Sequence, residues 1–174
     1  MKERESHLLD GVSMNIGLRQ FTLEDAPEIA LLVGEEAVSK WTSNIPHPYS
    51  EQDAIDWLKA CDSDPNKHPF AVELEGRLVA CVSFWPYEPE GIEVGYWVGR
   101  EYWGRGVGTA ALQLMLDLPE FPGESDVYAR VMLENTGSQR VLEHCGFSFL
   151  AKGGCSREGN DVPANIFVRR ASGR

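Results

Sequence analysis

Three glycines at alternate positions, Gly104-Arg105-Gly106-Val107-Gly108, separate a strand-like run, Ile92 to Val98, from a helical stripe of Val107, Ala110, Ala111, Leu114, Met115 and Leu118. Without Cβ atoms such a backbone can turn through positive φ and approach a ligand closely. The first N–H groups of the following helix point outward at its positive dipole end, which suits a phosphate. Two common nucleotide readings fail. A P-loop needs a lysine before its Ser/Thr, and Thr109 arrives without one. A dinucleotide fingerprint needs glycine at the sixth position, where Thr109 stands, and it opens a parallel βαβ unit.

The segment before the loop is no such unit. Phe70, Val72 and Leu74 alternate with Ala71, Glu73 and Glu75, Gly76-Arg77 turns the chain into Leu78–Trp85, and Ile92–Val98 follows after a second turn. Short turns between period-two runs predict an antiparallel meander. Upstream, a strand over Asn15–Phe21 leads to two helices. The first is capped by Thr22 with Asp25 and carries Leu23, Ala26, Ile29, Ala30 and Val33; the second is capped by Ser50 with Asp53 and carries Ala54, Trp57, Leu58 and Cys61. Downstream come a strand over Val127–Leu133, a helix with Ser138, Val141, Leu142 and Cys145, and strands over Phe147–Lys152 and Asn165–Arg169. The expected fold is α/β (α+β): a mixed, mostly antiparallel sheet of six to seven strands flanked by about four helices. Residues 1–13 read as a polar N-terminal extension, with Met14 an alternative start, and 14–174 as a single domain.

Composition narrows the partners. Acidic residues number 27 against 16 basic ones, a net charge of −11, which opposes phosphate backbones and anionic lipid. Neither nucleic acid nor membrane is expected as a partner. The first residues hold no apolar core of a signal peptide, and no run approaches a membrane span. Cys61, Cys81, Cys145 and Cys155 form no C-x-x-C pair and no zinc spacing. A cytoplasmic protein with buried thiols and no metal is the expectation.

Ile92-Glu-Val-Gly-Tyr-Trp-Val98 followed by Tyr102-Trp-Gly-Arg-Gly-Val-Gly-Thr109 resembles the acetyl-CoA loop of the GNAT (GCN5-related) N-acetyltransferases, Gln/Arg-x-x-Gly-x-Gly/Ala, with Trp103 in the Gln/Arg place. Glu134-Asn-Thr-Gly-Ser-Gln-Arg-Val-Leu-Glu-His-Cys-Gly-Phe147 is similar to the Asn-x-x-Ser segment of that family's ribosomal-protein (RimJ/RimL-like) branch. The resemblance implies the GNAT fold, splayed between the fourth and fifth strands into a V-shaped slot, with acetyl-CoA as cosubstrate and a primary amine as acceptor. By it, the main chain of Gly104, Arg105, Gly106, Val107, Gly108 and Thr109 takes the pyrophosphate. Tyr96, Trp97 and Val98 pair with the pantetheine amides, and Asn135 and Ser138 lie along its far side.

The chemistry needs a base, because an alkylamine with pKa near ~10 is protonated at neutral pH. Glu93 is the candidate, on one strand face with Gly95 and Trp97. A tyrosine that many relatives carry seven residues beyond the Asn is Leu142 here, so Ser138 is carried over as the acid for the leaving thiolate. Trp41, Tyr49, Trp57, Trp85 and Tyr87 are candidates for the acceptor pocket. The acidic cluster Glu35, Glu36, Glu51 and Asp53 favours a cationic acceptor, while Arg100 or Arg105 supplies a local positive patch for CoA. The alternative function is a non-catalytic acyl-CoA-binding module on the same fold; a homodimer is a family expectation.

Overall fold

The computed structural model describes residues 3–9 and 12–171. One mixed sheet of eight strands runs in the order β1-β2-β3-β4-β5-β6-β8-β7. The strands are β1 (Glu3–Leu9), β2 (Val12–Arg19), β3 (His68–Leu74), β4 (Arg77–Pro86), β5 (Ile92–Val98), β6 (Val127–Met132), β7 (Ser148–Arg157) and β8 (Asn160–Arg169). The helices are α1 (Ala26–Val33), α2 (Glu36–Ser39), α3 (Glu51–Ser63), α4 (Val107–Leu116) and α5 (Thr136–His144). The order of elements follows the sequence expectation, with three differences. Residues 3–9 of the expected extension pair with β2 as an edge strand and supply the eighth strand. The four-residue α2 was not anticipated. The last hairpin is longer, turning at Glu158-Gly159, both at positive φ (50° and 79°).

Every neighbouring pair is antiparallel except β5–β6, and that pair is brief. It holds only at Ile92↔Val127 and Glu93↔Tyr128. Beyond Glu93 the two strands part, leaving the side of β5 from Val94 to Val98 without a strand partner. This is the expected splay between the fourth and fifth strands counted from β2.

Two layers of helix cover the sheet. α4 and α5 bury Val107, Ala110, Ala111, Leu112, Met115 and Leu142 against one face, which presents Val72, Val82, Val94 and Val131. α1 and α3 bury Ile29, Val33, Ala54 and Leu58 against the other, over Ala71 and Leu78. The capping residues act locally as read. The Thr22 N–H donates to the Asp25 carboxylate at 2.9 Å, and that carboxylate also takes two bonds of 2.8 Å from Arg19. Arg19 in turn reaches Glu73 at 2.7 Å, so one guanidinium ties β2, β3 and the entry to α1. Ser50 and Asp53 form the reciprocal cap at the start of α3.

Candidate active site

The glycine loop has the conformation its composition requires. Gly104 and Gly106 lie at φ +70° and +77°, in the left-handed region where a side chain is strained. Gly106 is the N-cap of α4 and has no side chain with which to cap it. The first bond onto its carbonyl comes from the Ala110 N–H at 3.0 Å. The N–H groups of Val107, Gly108 and Thr109 therefore have no intrahelical acceptor. Gly108 packs closely: a Cβ there would sit 3.3 Å from Val141 Cγ2 and 3.5 Å from Val98 Cγ2. This is where α4, α5 and β5 converge. Arg105 lies over the Tyr102 ring at 5.6 Å, and Arg100 pairs loosely with Glu35 at 3.8 Å, both near the loop.

The open side of β5 alternates in its main chain. The Ile92 N–H donates across to Asp126 and the Gly99 N–H donates to Val79 of β4. By that alternation Val94, Tyr96 and Val98 turn their amides to the slot, while Gly95 and Trp97 turn theirs to β4. The expected trio is corrected accordingly. Tyr96 and Val98 keep their main-chain groups on the open side, Val94 joins them, and the Trp97 main chain pairs with Cys81 of β4. The carbonyl of Val98 already accepts from the indole N–H of Trp103 at 2.8 Å. Trp103, in the family's Gln/Arg place, thus braces the end of the strand against the loop.

On the α4 face of the sheet, the Tyr96 hydroxyl lies 2.6 Å from Ser138 Oγ and 3.1 Å from the Ser138 carbonyl. Burial pushes the Tyr96 phenol well above its ordinary range, more than the bond to Ser138 pulls it down. Asn135 Oδ1 accepts from the Ser138 N–H at 3.2 Å and so serves as the N-cap of α5. The family resemblance points to Tyr96 for its main chain alone. Its side chain is the structure's addition, and only the fold brings it to Ser138.

Glu93 faces the other way, on the α1/α3 side. Strand alternation is unbroken, so the Glu93, Gly95, Trp97 face is as expected. The carboxylate is 14% exposed and has neighbours from the strands on both sides. Trp85 Nε1 of β4 donates to Oε2 at 3.3 Å, and Arg130 Nε of β6 lies 3.3 Å from Oε1. Gly95 makes this possible, since a Cβ there would stand 2.6 Å from the Trp85 ring. Arg130 also donates to the Gly154 carbonyl of β7 at 3.2 Å, and its guanidinium lies 5.7 Å from the Tyr87 ring centroid. Tyr87 itself stacks on Tyr128 at 4.3 Å. Burial raises the Glu93 carboxyl above its usual value, with Arg130 and then Trp85 opposing that rise.

Of the aromatic candidates, Trp85 and Tyr87 stand at this site. Tyr49 and Trp57 pack with the α1/α3 core, and Trp41 packs with Met132, Cys155 and Ala164. The segment holding Trp41 is fastened by Arg157, which donates to the carbonyls of Ser39 (2.5 Å) and Thr42 (3.0 Å). Within the expected acidic cluster, Asp53 is engaged at its cap and Glu35 with Arg100. All four cysteines are free and buried. Burial pushes the Cys145 thiol up to about 11 and Cys81 higher still, so neither is a ready nucleophile. Among the described residues no group of three or more His, Cys, Asp or Glu stands together to hold a metal.

The comparisons agree with this geometry. The model of the acetyltransferase (GNAT) domain matches residues 15–148, and the chain belongs to the GNAT family as an N-acetyltransferase. It is 26% identical over 137 residues to the uncharacterized N-acetyltransferase p20 of Bacillus licheniformis, covering 75% of this chain and 77% of that protein. Mycobacterium smegmatis RimJ, solved in complex with CoA-disulfide, shares the fold with a TM-score of 0.78 at 21% identity, over 88% of this chain and 81% of that one. Microcin C7 self immunity acetyltransferase MccE, in complex with acetyl-CoA and AMP, does so with 0.75 at 17% identity, over 89% and 92%.

Proposed function

We propose that this protein transfers the acetyl group of acetyl-CoA to a primary amine, a protein N-terminus or a small molecule, by direct attack in a ternary complex. One observation carries the reading: a half-buried carboxylate, Glu93, stands where β5 and β6 part, beside an unpaired strand edge that leads to the glycine loop. The residues suit CoA. The uncapped turn Val107–Thr109 offers N–H groups to the pyrophosphate, and the amides of Val94, Tyr96 and Val98 match an extended pantetheine arm.

In the reaction the amine lone pair attacks the thioester carbonyl carbon, a C–N bond forms and the C–S bond breaks. Glu93 accepts the amine's proton. Its raised carboxyl is better matched to that proton than an ordinary glutamate. Ser138 serves the departing sulfur. A serine hydroxyl is a far weaker acid than a thiol, and the raised phenol of Tyr96 does not replenish it. Ser138 therefore acts as a hydrogen-bond donor to the thiolate, which then takes its proton from water. Either hydroxyl of the Tyr96–Ser138 pair can be the donor; when Tyr96 donates to Ser138 Oγ, the serine proton is free for that task.

The net charge of −11 supports a cationic acceptor through the long-range field; at Glu93 itself Arg130 offsets the local charge. Four free thiols support a reducing, cytoplasmic setting. The test is acetyl-CoA consumption over peptides with varied N-termini, polyamines and aminoglycosides. Turnover with one class is the expected result. CoA binding by calorimetry without transfer to any amine would instead establish the binding module.

A further inference from the structure

We propose that Arg130 is a positioning residue for the transfer: it holds the Glu93 carboxylate as its anion, and in one orientation, at the fork between β5 and β6. The inference rests on the proposed role of Glu93 as base and goes beyond it to a residue on another strand. Three contacts fix the guanidinium. Its Nε meets Glu93 Oε1 at 3.3 Å, its Nη1 donates to the Gly154 carbonyl at 3.2 Å, and its plane lies near the Tyr87 ring. β5, β6 and β7 are thus tied through one side chain across the point where the first two stop pairing.

The arrangement addresses a conflict in the chemistry. A carboxylate buried enough to have raised basicity is also prone to sit protonated, and a protonated Glu93 cannot accept the amine's proton. The groups facing it are Trp85 from β4, which donates to Oε2, and Arg130 from β6, next to Tyr128 in register with Glu93. Arg130 is the cation of that set. It is 39% exposed, so the pairing is partly screened and its effect on Glu93 is a moderate one. Removing the charge leaves burial unopposed except by the Trp85 bond, and the acidic limb of activity moves to higher pH.

The experiment titrates the Glu93 side-chain carbon by NMR in glutamate-labelled full-length protein, assigned by the signal lost in Glu93→Gln. In Arg130→Met the midpoint is expected to rise by on the order of one pH unit, and Arg130→Lys to restore part of it. Acetyl transfer by Arg130→Met should fall about tenfold below the midpoint and recover as pH increases. In the wild type the Arg130 Nε–H resonance should shift with the Glu93 midpoint, a reading that needs no variant should Arg130→Met fail to fold. An unchanged Glu93 midpoint in Arg130→Met, or an Arg130 resonance indifferent to Glu93, overturns the proposal. If the wild type transfers acetyl to no amine, the base role falls and this inference with it, whereas transfer with an unmoved midpoint removes Arg130 alone.

Discussion

The two sides of the slot are built from different materials. The side facing α4 offers mainly main chain, with the Tyr96–Ser138 pair as its side-chain contact: the left-handed glycines Gly104 and Gly106, the uncapped first turn of α4, and the alternating amides of β5. The side holding Glu93 is made of side chains, from Trp85, Arg130 and Tyr87 on three different segments. Main chain suits a cofactor whose pyrophosphate and amides ask only for N–H and C=O groups. A proton acceptor needs a tuned titratable group, and tuning requires neighbours with charge and shape. The proton acceptor and the cofactor-binding glycine loop therefore depend on separate residues, and substitutions should separate them.

The largest effect is expected on the chemical side. Glu93→Gln should lower kcat about 10²–10³-fold while CoA affinity in calorimetry stays as in the wild type. The wild-type acidic limb should lie above the ordinary glutamate value, since the base works only when deprotonated and burial raises its midpoint. On the binding side, Gly106→Val imposes a β-branched residue at φ +77°. A cost of ~1–2 kcal/mol should weaken CoA binding about 5–30-fold, with kcat recovered at saturating acetyl-CoA.

Smaller effects sharpen the division. Tyr96→Phe removes the bond to Ser138 Oγ and should lower kcat about 3–10-fold without changing the KM for the amine. Asp25→Asn lies outside both walls and should leave turnover alone while costing ~1 kcal/mol of stability at neutral pH. Burial alone would raise the Asp25 carboxyl, but its bonds to Arg19 and the Thr22 N–H outweigh that and hold it below the usual value. Its stabilisation is present above the unfolded carboxylate range and is lost as pH falls through the depressed native value. Thermal melts of the two proteins should converge on acidification.

Local features were legible in the sequence, and long-range ones were not. The loop conformation at Gly104 and Gly106, the caps at Thr22 and Ser50, and the α1, α3, α4 and α5 stripes depend on residues a few positions apart. The end of the last hairpin escaped because Gly153, Gly154, Asn160 and Pro163 have poor strand propensity and mostly face solvent. Partnership between Glu93 and Arg130, or between Tyr96 and Ser138, depends on the register that the α4 crossover sets. No spacing in the chain announces it. The strand of residues 3–9 depends likewise on pairing with β2. Trp97 shows the finer limit: its face was readable from alternation, but the direction of its amide became clear only from the hydrogen-bond pattern with β4.

The most direct measurement takes Glu93→Gln and Gly106→Val through the same two assays, CoA calorimetry and acetyl transfer to the best amine at saturating acetyl-CoA. Glu93→Gln should bind CoA as the wild type does and barely transfer, while Gly106→Val should bind weakly and, once saturated, turn over at the wild-type rate. Wild-type turnover by Glu93→Gln, or equal loss of CoA affinity in both variants, would contradict the division of labour between the two walls.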